Sequence, residues 1–133
     1  MATFRKFEDI EAWQLARVLT QKVYALSAEG AFGKDFELRN QMRRAVISVM
    51  SNIAEGYERD GRREFIQFLS IAKASIGELR SQCYVALDAG YINQAQFDDW
   101  LTDAVKISGK LSGLMSYLRQ SEIRGSKFST TKP

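Results

Sequence analysis

Between Phe65 and Ala86 the chain places Phe65, Leu69, Ala72, Ile76, Leu79, Cys83 and Ala86 in an unbroken alternation of four- and three-residue steps. That spacing holds one stripe on one face of an α-helix, whereas a strand turns its faces over every second residue. A helix from about Arg63 to Ala89 follows. The same alternation marks Ala12, Ala16, Leu19, Val23 and Leu26, widened by Trp13, Leu15 and Tyr24, and predicts a helix from near Asp9 to about Glu29. Leu38, Met42, Ala45, Val49 and Ile53 carry a helix from Lys34-Asp35 to Gly56. Trp100, Ala104, Ile107, Leu111, Leu114 and Leu118, broadened by Phe97, Leu101 and Met115, carry one from Asn93 to about Leu118.

Punctuation between the stripes fits these bounds. Gly30-Ala31-Phe32-Gly33 reads as the turn after the first helix, because two glycines in four residues weaken a helix and free the backbone. Asp35 and Asn93 are N-cap residues by type, and Gly56 is placed to end the second helix as a C-terminal glycine. Connections of a few residues favour antiparallel neighbours. The expected fold is all-α, an antiparallel up-down-up-down four-helix bundle over residues 1–118, followed by a flexible basic tail at 119–133 that lacks periodicity.

Composition narrows the chemistry. In 133 residues, 45% are apolar and 26% charged, with a single proline, which suits one helical domain with a real core. No histidine is present, so the Ser-His and Cys-His pairs and the Glu-x-x-His ligands of di-iron bundles are excluded. Cys83, the single cysteine, rules out an intramolecular disulfide framework and sits on the core stripe, where it reads as packing. Glu55, Glu64 and Glu78 lack the facing histidines of a metal bundle, and no phosphate-loop glycine pattern occurs. No catalytic residue, cofactor or metal is expected. Without an apolar run long enough for a membrane span, or a secretory leader pattern, the expected location is cytoplasmic.

Charge is distributed unevenly. Residues 34–63 hold seven Lys+Arg against five Asp+Glu, and residues 119–133 four against one, within a net charge of +3. Arg43, Arg44, Arg59, Arg62 and Arg63 are the candidate phosphate contacts, since a guanidinium can donate two parallel hydrogen bonds to a phosphate. Aromatic stacking platforms do not interleave them, so backbone or shape recognition is the form such binding would take. On the second helix, Arg43, Ile47, Met50 and Ala54 share a flank away from the core, and Ile47 and Met50 are candidate oligomer contacts. Gln41, Arg44, Ser48, Asn52 and Glu55 form a polar row that is either solvated or hydrogen-bonded at a helix interface. Ser70, Ala74, Gly77 and Ser81 make a small-residue face on the third helix, either simply exposed or open to close approach by another helix.

The segments Gln41-Met42-Arg43-Arg44-Ala45, Ser48 to Gly56 with its Asn52-Ile53-Ala54-Glu55-Gly56 end, Glu64-Phe65-Ile66-Gln67-Phe68-Leu69 and Ala72 to Leu79 resemble one bacterial family. It is the family of four-helix bundle proteins encoded in intervening sequences of 23S rRNA genes. The likeness extends over roughly residues 7–118, and departs at Ala31-Phe32-Gly33, where a Phe-Pro pair is commoner. The resemblance implies a ring-shaped homopentamer and no catalysis or cofactor. It also implies motif roles for Asn52, Glu55, Gly56, Phe65 and Glu78. A relative serves as the accessory protein of a diversity-generating reverse transcriptase, so RNA, DNA or a reverse transcriptase are the partners implied. Two functions stay open: a homo-oligomer binding nucleic acid through the arginines, and a protein scaffold in which the motif only closes the bundle.

Overall fold

The computed structural model describes residues 4–123 as an all-α fold of five helices, with no strand among the described residues. A single 3-10 turn, Phe7–Asp9, precedes α1 (Glu11–Ser27). Then come α2 (Gly30–Lys34), α3 (Phe36–Glu58), α4 (Arg62–Asp88) and α5 (Gln94–Ile123). The four long helices close on one another as a square, with α3 against α4, α4 against α5, and α1 against both α3 and α5. Side-chain contacts fix the directions. Thr20 meets Met50 while Ser27 meets Arg43, and Lys22 meets Asp99 while Glu11 meets Lys110, so α1 runs antiparallel to both its neighbours.

The predicted stripes point inward. Leu19, Val23, Met42, Val49, Ile53, Phe65, Leu69, Leu79, Ala104, Ile107 and Leu111 are wholly or almost wholly buried in one cluster. Trp100 is the largest side chain in it, at 1% exposure. Fully burying an aliphatic side chain contributes about 1.5–3 kcal/mol, so this cluster is the main source of stability.

Both predicted N-caps form. Asp35 Oδ1 accepts from the Leu38 amide at 3.1 Å. Asn93 Oδ1 accepts from the Gln96 amide while Gln96 Oε1 accepts from the Asn93 amide, both at 2.8 Å, which is a reciprocal capping box. Gly90 lies at φ 78° and ends α4 with Tyr91 N–H donating to Ala86 O and Gly90 N–H to Leu87 O. Those two bonds are the Schellman pattern, which needs a left-handed residue at this position.

Three expectations are corrected. Gly30-Ala31-Phe32-Gly33 is not an open turn but most of α2, because Phe32 is buried and stacks on Tyr91 with ring centroids 5.1 Å apart. Tyr91 Oη also donates to Asp35 Oδ2 at 2.9 Å, so one contact group fastens both chain reversals at this end of the bundle. The second predicted helix does not stop at Gly56 but runs to Glu58. The last helix passes Leu118 and reaches Ile123, with Ser121 buried; the rest of the expected tail, residues 124–133, lies outside the described residues.

The α1–α5 side is thinly filled. An open groove of about 490 Å³ lies there, lined by Ile10, Glu11, Ala12, Gly109, Gly113 and Tyr117 among others. Toward the other end the same pair of helices is held by Lys22, whose Nζ donates to Asp99 and Asp103 at 2.8 Å each. The bonds to Asp103 and then Asp99 raise the Lys22 pKa above its ordinary 10.5. A raised amine contributes stability below its unfolded pKa and loses it as pH climbs through the folded one. The stability difference between the native protein and Lys22→Gln is therefore expected to hold at neutral pH and shrink above about pH 10.5. Urea unfolding of both proteins across the alkaline range measures it, and a pH-independent difference would contradict the ion-pair origin.

Candidate functional site

The family-like motif lies where α3 leaves the bundle and α4 returns. Gly56 sits inside α3, and a Cβ built on it would lie 2.6 Å from Phe68 Cβ and 3.1 Å from Phe65 Cδ1. A contact that short leaves no room for a side chain. Gly56 is thus required by the approach of α4 and not by a helix end, which corrects the expected C-terminal role. Phe65 is fully buried, and its ring meets Tyr57 edge-on with centroids 6.0 Å apart.

Two turns further along the seam, Ser48 Oγ and Ser75 Oγ lie 2.8 Å apart. Asn52 Nδ2 donates to Ser48 O at 2.8 Å and to Ser48 Oγ at 3.0 Å. The middle of the polar row is therefore an interhelix hydrogen-bonded group, in which Asn52 serves the α3 backbone one turn back. Ser75, its α4 partner, was not marked by the sequence reading. The row's outer members differ: Gln41 and Arg44 line an open cleft of about 240 Å³ with Ala45, Ser48 and, from α4, Glu78. Neither Arg44 nor Glu78 makes an ion pair among the described residues, and Glu55 pairs with Arg59.

The arginines are not one surface. Arg43 Nε donates to Ser27 Oγ at 2.9 Å and Nη2 to Tyr24 O at 3.4 Å, with the guanidinium 4.3 Å from the Tyr24 ring centroid. It serves the C-terminal end of α1. Arg59 lies 16 residues further on, just past the end of α3, roughly 24 Å at helical rise. Its guanidinium meets Glu55 Oε2 at 3.0 Å and Glu64 Oε2 at 3.5 Å, and lies 5.1 Å from the Phe68 centroid. Arg62 and Arg63 open α4, the first half-buried and the second exposed. With Glu55, Glu58, Asp60 and Glu64 beside them, the three turn arginines face four carboxylates, so the expected basic turn has no local excess of positive charge.

The two proposed contact residues also part. Ile47 stands 43% exposed. Met50 packs against the core, and its sulfur accepts from Thr20 Oγ1 at 3.3 Å. Ser70, Ala74, Gly77 and Ser81 are all exposed, so no other helix of the described chain uses the small-residue face of α4.

Burial pushes the Cys83 thiol up to about 12, which leaves it protonated in the core at neutral pH. Among the described residues no group of three or more His, Cys, Asp or Glu is arranged to hold a metal. No helix among them is long and apolar enough to cross a membrane.

Fold and motif together define a class: a small antiparallel helical bundle with a tightly packed glycine seam between its two central helices. The 23S rRNA-intervening sequence protein model matches residues 8–113, and the chain belongs to that family. Among solved structures it is similar to a protein of unknown function from the S23 ribosomal protein family of Bacteroides thetaiotaomicron VPI-5482. Identity is 20%, with a TM-score of 0.72 over 78% of this chain and 97% of that one. At that identity the likeness concerns the fold. A comparison with curated proteins gave no match.

Gly56 and Gly77 make a paired test of the seam. Both lie inside helices, where alanine is intrinsically favoured by about 0.8–1 kcal/mol. No atom lies within 4 Å of a Cβ built on Gly77. Gly77→Ala is expected to raise stability by up to that amount. Gly56→Ala is expected to lose about 1–3 kcal/mol through overpacking despite the same propensity gain. Denaturant unfolding of both variants measures the pair, and a stabilising Gly56→Ala would show that the seam has slack.

Proposed function

We propose that this protein is a non-catalytic, homo-oligomeric helical-bundle protein that binds RNA or DNA through the surface its copies jointly present. Five copies is the number its family resemblance implies. The observation that carries self-association is a pair of unlike apolar patches on different helices. Ile47, on α3, is 43% exposed one turn from Arg43, which stacks on Tyr24; Ile71 and Val85, on α4, are 46% and 51% exposed. Glu78 lies between the latter two at the midpoint of their stripe, and Ala74 and Ser81 to one side of it keep the α4 face low. Closed rings are built from two different, complementary patches on each subunit, and this pair meets that requirement.

Repetition gives the nucleic-acid role its strength. A sequence pI of about 9.1 reflects only a small excess of charge per chain, and a ring multiplies each weak phosphate contact. One observation favours a second reading, a protein scaffold or reverse-transcriptase accessory subunit without nucleic acid. Arg59, central to the motif, is already engaged by Glu55 and Glu64.

Light-scattering mass tests the proposal. The expected result is a mass near five times 15.1 kDa that grows with a structured RNA at low salt and loses the increment as salt rises. Ile47→Asp and Ile71→Asp are each expected to lower the mass to that of the monomer while circular dichroism stays helical. An oligomer indifferent to RNA and DNA would favour the scaffold, and a native monomer would remove the assembly from both readings.

A further inference from the structure

Arg43 and Glu78 hold matching places on two different faces of the bundle. On α3, Phe36, Arg43 and Ile47 are spaced by seven and four and share one stripe. Phe36 is 60% exposed, the most exposed large apolar side chain among the described residues. With Ile47 exposed as well, a guanidinium stands between two uncovered apolar groups. On α4, Ile71, Glu78 and Val85 are spaced by seven and seven, so there a carboxylate stands between two others. Ala74 and Ser81, one turn to either side of Glu78, are exposed and small, which leaves the carboxylate accessible.

No carboxylate of the chain answers Arg43, and no cation closes on Glu78. Residues 12–28 of α1 contain no Asp or Glu, and residues 36–54 of α3 contain only Glu37. Glu37 falls on the stripe of Gln41, Arg44 and Ser48, which lines the cleft toward α4, whereas Arg43 reaches Ser27 and the Tyr24 ring of α1. Arg17 lies seven residues from Tyr24 on its stripe, and the Arg39 guanidinium lies 4.7 Å from the Phe36 ring centroid, so the face around Arg43 is cationic throughout. Along residues 65–88 of α4 the cations are Lys73 and Arg80. They stand roughly 140° and 160° round the helix from Glu78. Both belong to the stripe of Tyr84, whose ring meets Phe97 of α5. Arg44 lines the cleft beside Glu78 without an ion pair among the described residues.

We infer that Arg43 of one copy and Glu78 of the next form the ion pair at the centre of the contact between copies, with Phe36 and Ile47 of α3 seated against Ile71 and Val85 of α4. The inference rests on the self-association proposed above and names the groups that give it register. Phe36 lies seven residues from Arg43, and Ile71 and Val85 each lie seven from Glu78, about 10.5 Å of helix in every case. Setting Arg43 on Glu78 therefore brings Phe36 level with one of the two, and Ile47 toward the other. Arg43 keeps its bonds to α1, because they use two of the five N–H donors of a guanidinium and leave three for a carboxylate. The same two residues do not pair within a chain, since Arg43 leans on α1 and Glu78 lies at the opposite flank of α3. One partner is on α3 and the other on α4, so the contact is of the head-to-tail kind from which rings close.

The test is light-scattering mass over a dilution series for Arg43→Glu, Glu78→Arg, the double variant Arg43→Glu/Glu78→Arg and, for comparison, Arg44→Gln, each checked for helical circular dichroism. Either single reversal sets like charges together at every contact and is expected to raise the concentration of half-assembly roughly a hundredfold. The double variant restores opposite charges and is expected to assemble as the native protein does, and Arg44→Gln likewise. An equimolar mixture of the two single variants is expected to co-assemble where neither assembles alone, because each supplies the face the other needs. Arg43 also serves the end of α1, so should Arg43→Glu not fold, Phe36→Asp replaces it, with the same loss expected as for Glu78→Arg. Native assembly with Glu78→Arg and Phe36→Asp both unchanged would overturn this contact while leaving self-association in place. Helical single variants that lose mass without recovery in the double variant or the mixture would do the same, as would loss confined to Arg44→Gln. A native protein that is monomeric throughout the series would overturn the self-association itself.

Discussion

At Gly56 the backbone of α3 comes so close to α4 that the space a methyl group would need is already taken by Phe68. Interior packing is as dense as in organic crystals, so a contact of this kind sets the position of everything attached to it. Phe65 fills the floor of the approach, Tyr57 stands edge-on to it, and Tyr57 Oη reaches Phe4 O at 2.9 Å. One glycine thus aligns the central helix pair and ties the N-terminal segment to the same end. Further along, the Ser48, Asn52 and Ser75 group sits where the two helices are still close but less apolar. It fixes their register with hydrogen bonds, each of which adds only about 1 kcal/mol to stability.

Electrostatics acts mostly by commitment. Arg43 and Arg59 look alike in the sequence, yet one is spent on the carbonyl end of α1 and the other on two carboxylates and a phenyl ring. Exposed ion pairs of this sort contribute little to stability, up to about 1 kcal/mol. Their larger effect is to cancel local potential, so the side chains that shape the external field are those left over. With no histidine in the chain, that field has no imidazole charge to gain or lose near neutral pH.

How much of this was legible in the sequence depended on the distance over which each feature is determined. The four stripes were, because a 3.6-residue period is visible within a single helix, and so were the caps at Asp35 and Asn93, which act over three residues. The role of Gly56 was not, since a glycine near the end of a helical pattern looks the same whether it frees the backbone or admits a neighbour. Phe32 escaped for a similar reason: its stacking partner, Tyr91, is far away in sequence, and only that partner makes a five-residue, two-glycine helix worth forming. At the candidate site, the polar row on α3 was visible but its anchoring by Ser75 was not. The arginine cluster was visible too, whereas the capture of Arg59 between Glu55 and Glu64 depended on α4 folding back across the link.

The thinly filled side between α1 and α5 has a kinetic meaning. Every other long-helix contact joins elements that follow one another in the chain, and contacts of short sequence separation form early and at little entropic cost. Only α1 and α5 must find each other across the whole domain. They do so over a groove bordered by Gly109 and Gly113, two positions with no side chain to contribute. The expected order is that the sequential pairs α1–α3, α3–α4 and α4–α5 form first, the α1–α5 contact closes last, and native fluctuations reverse that step most readily. That contact is the one open seam in an otherwise continuous zigzag.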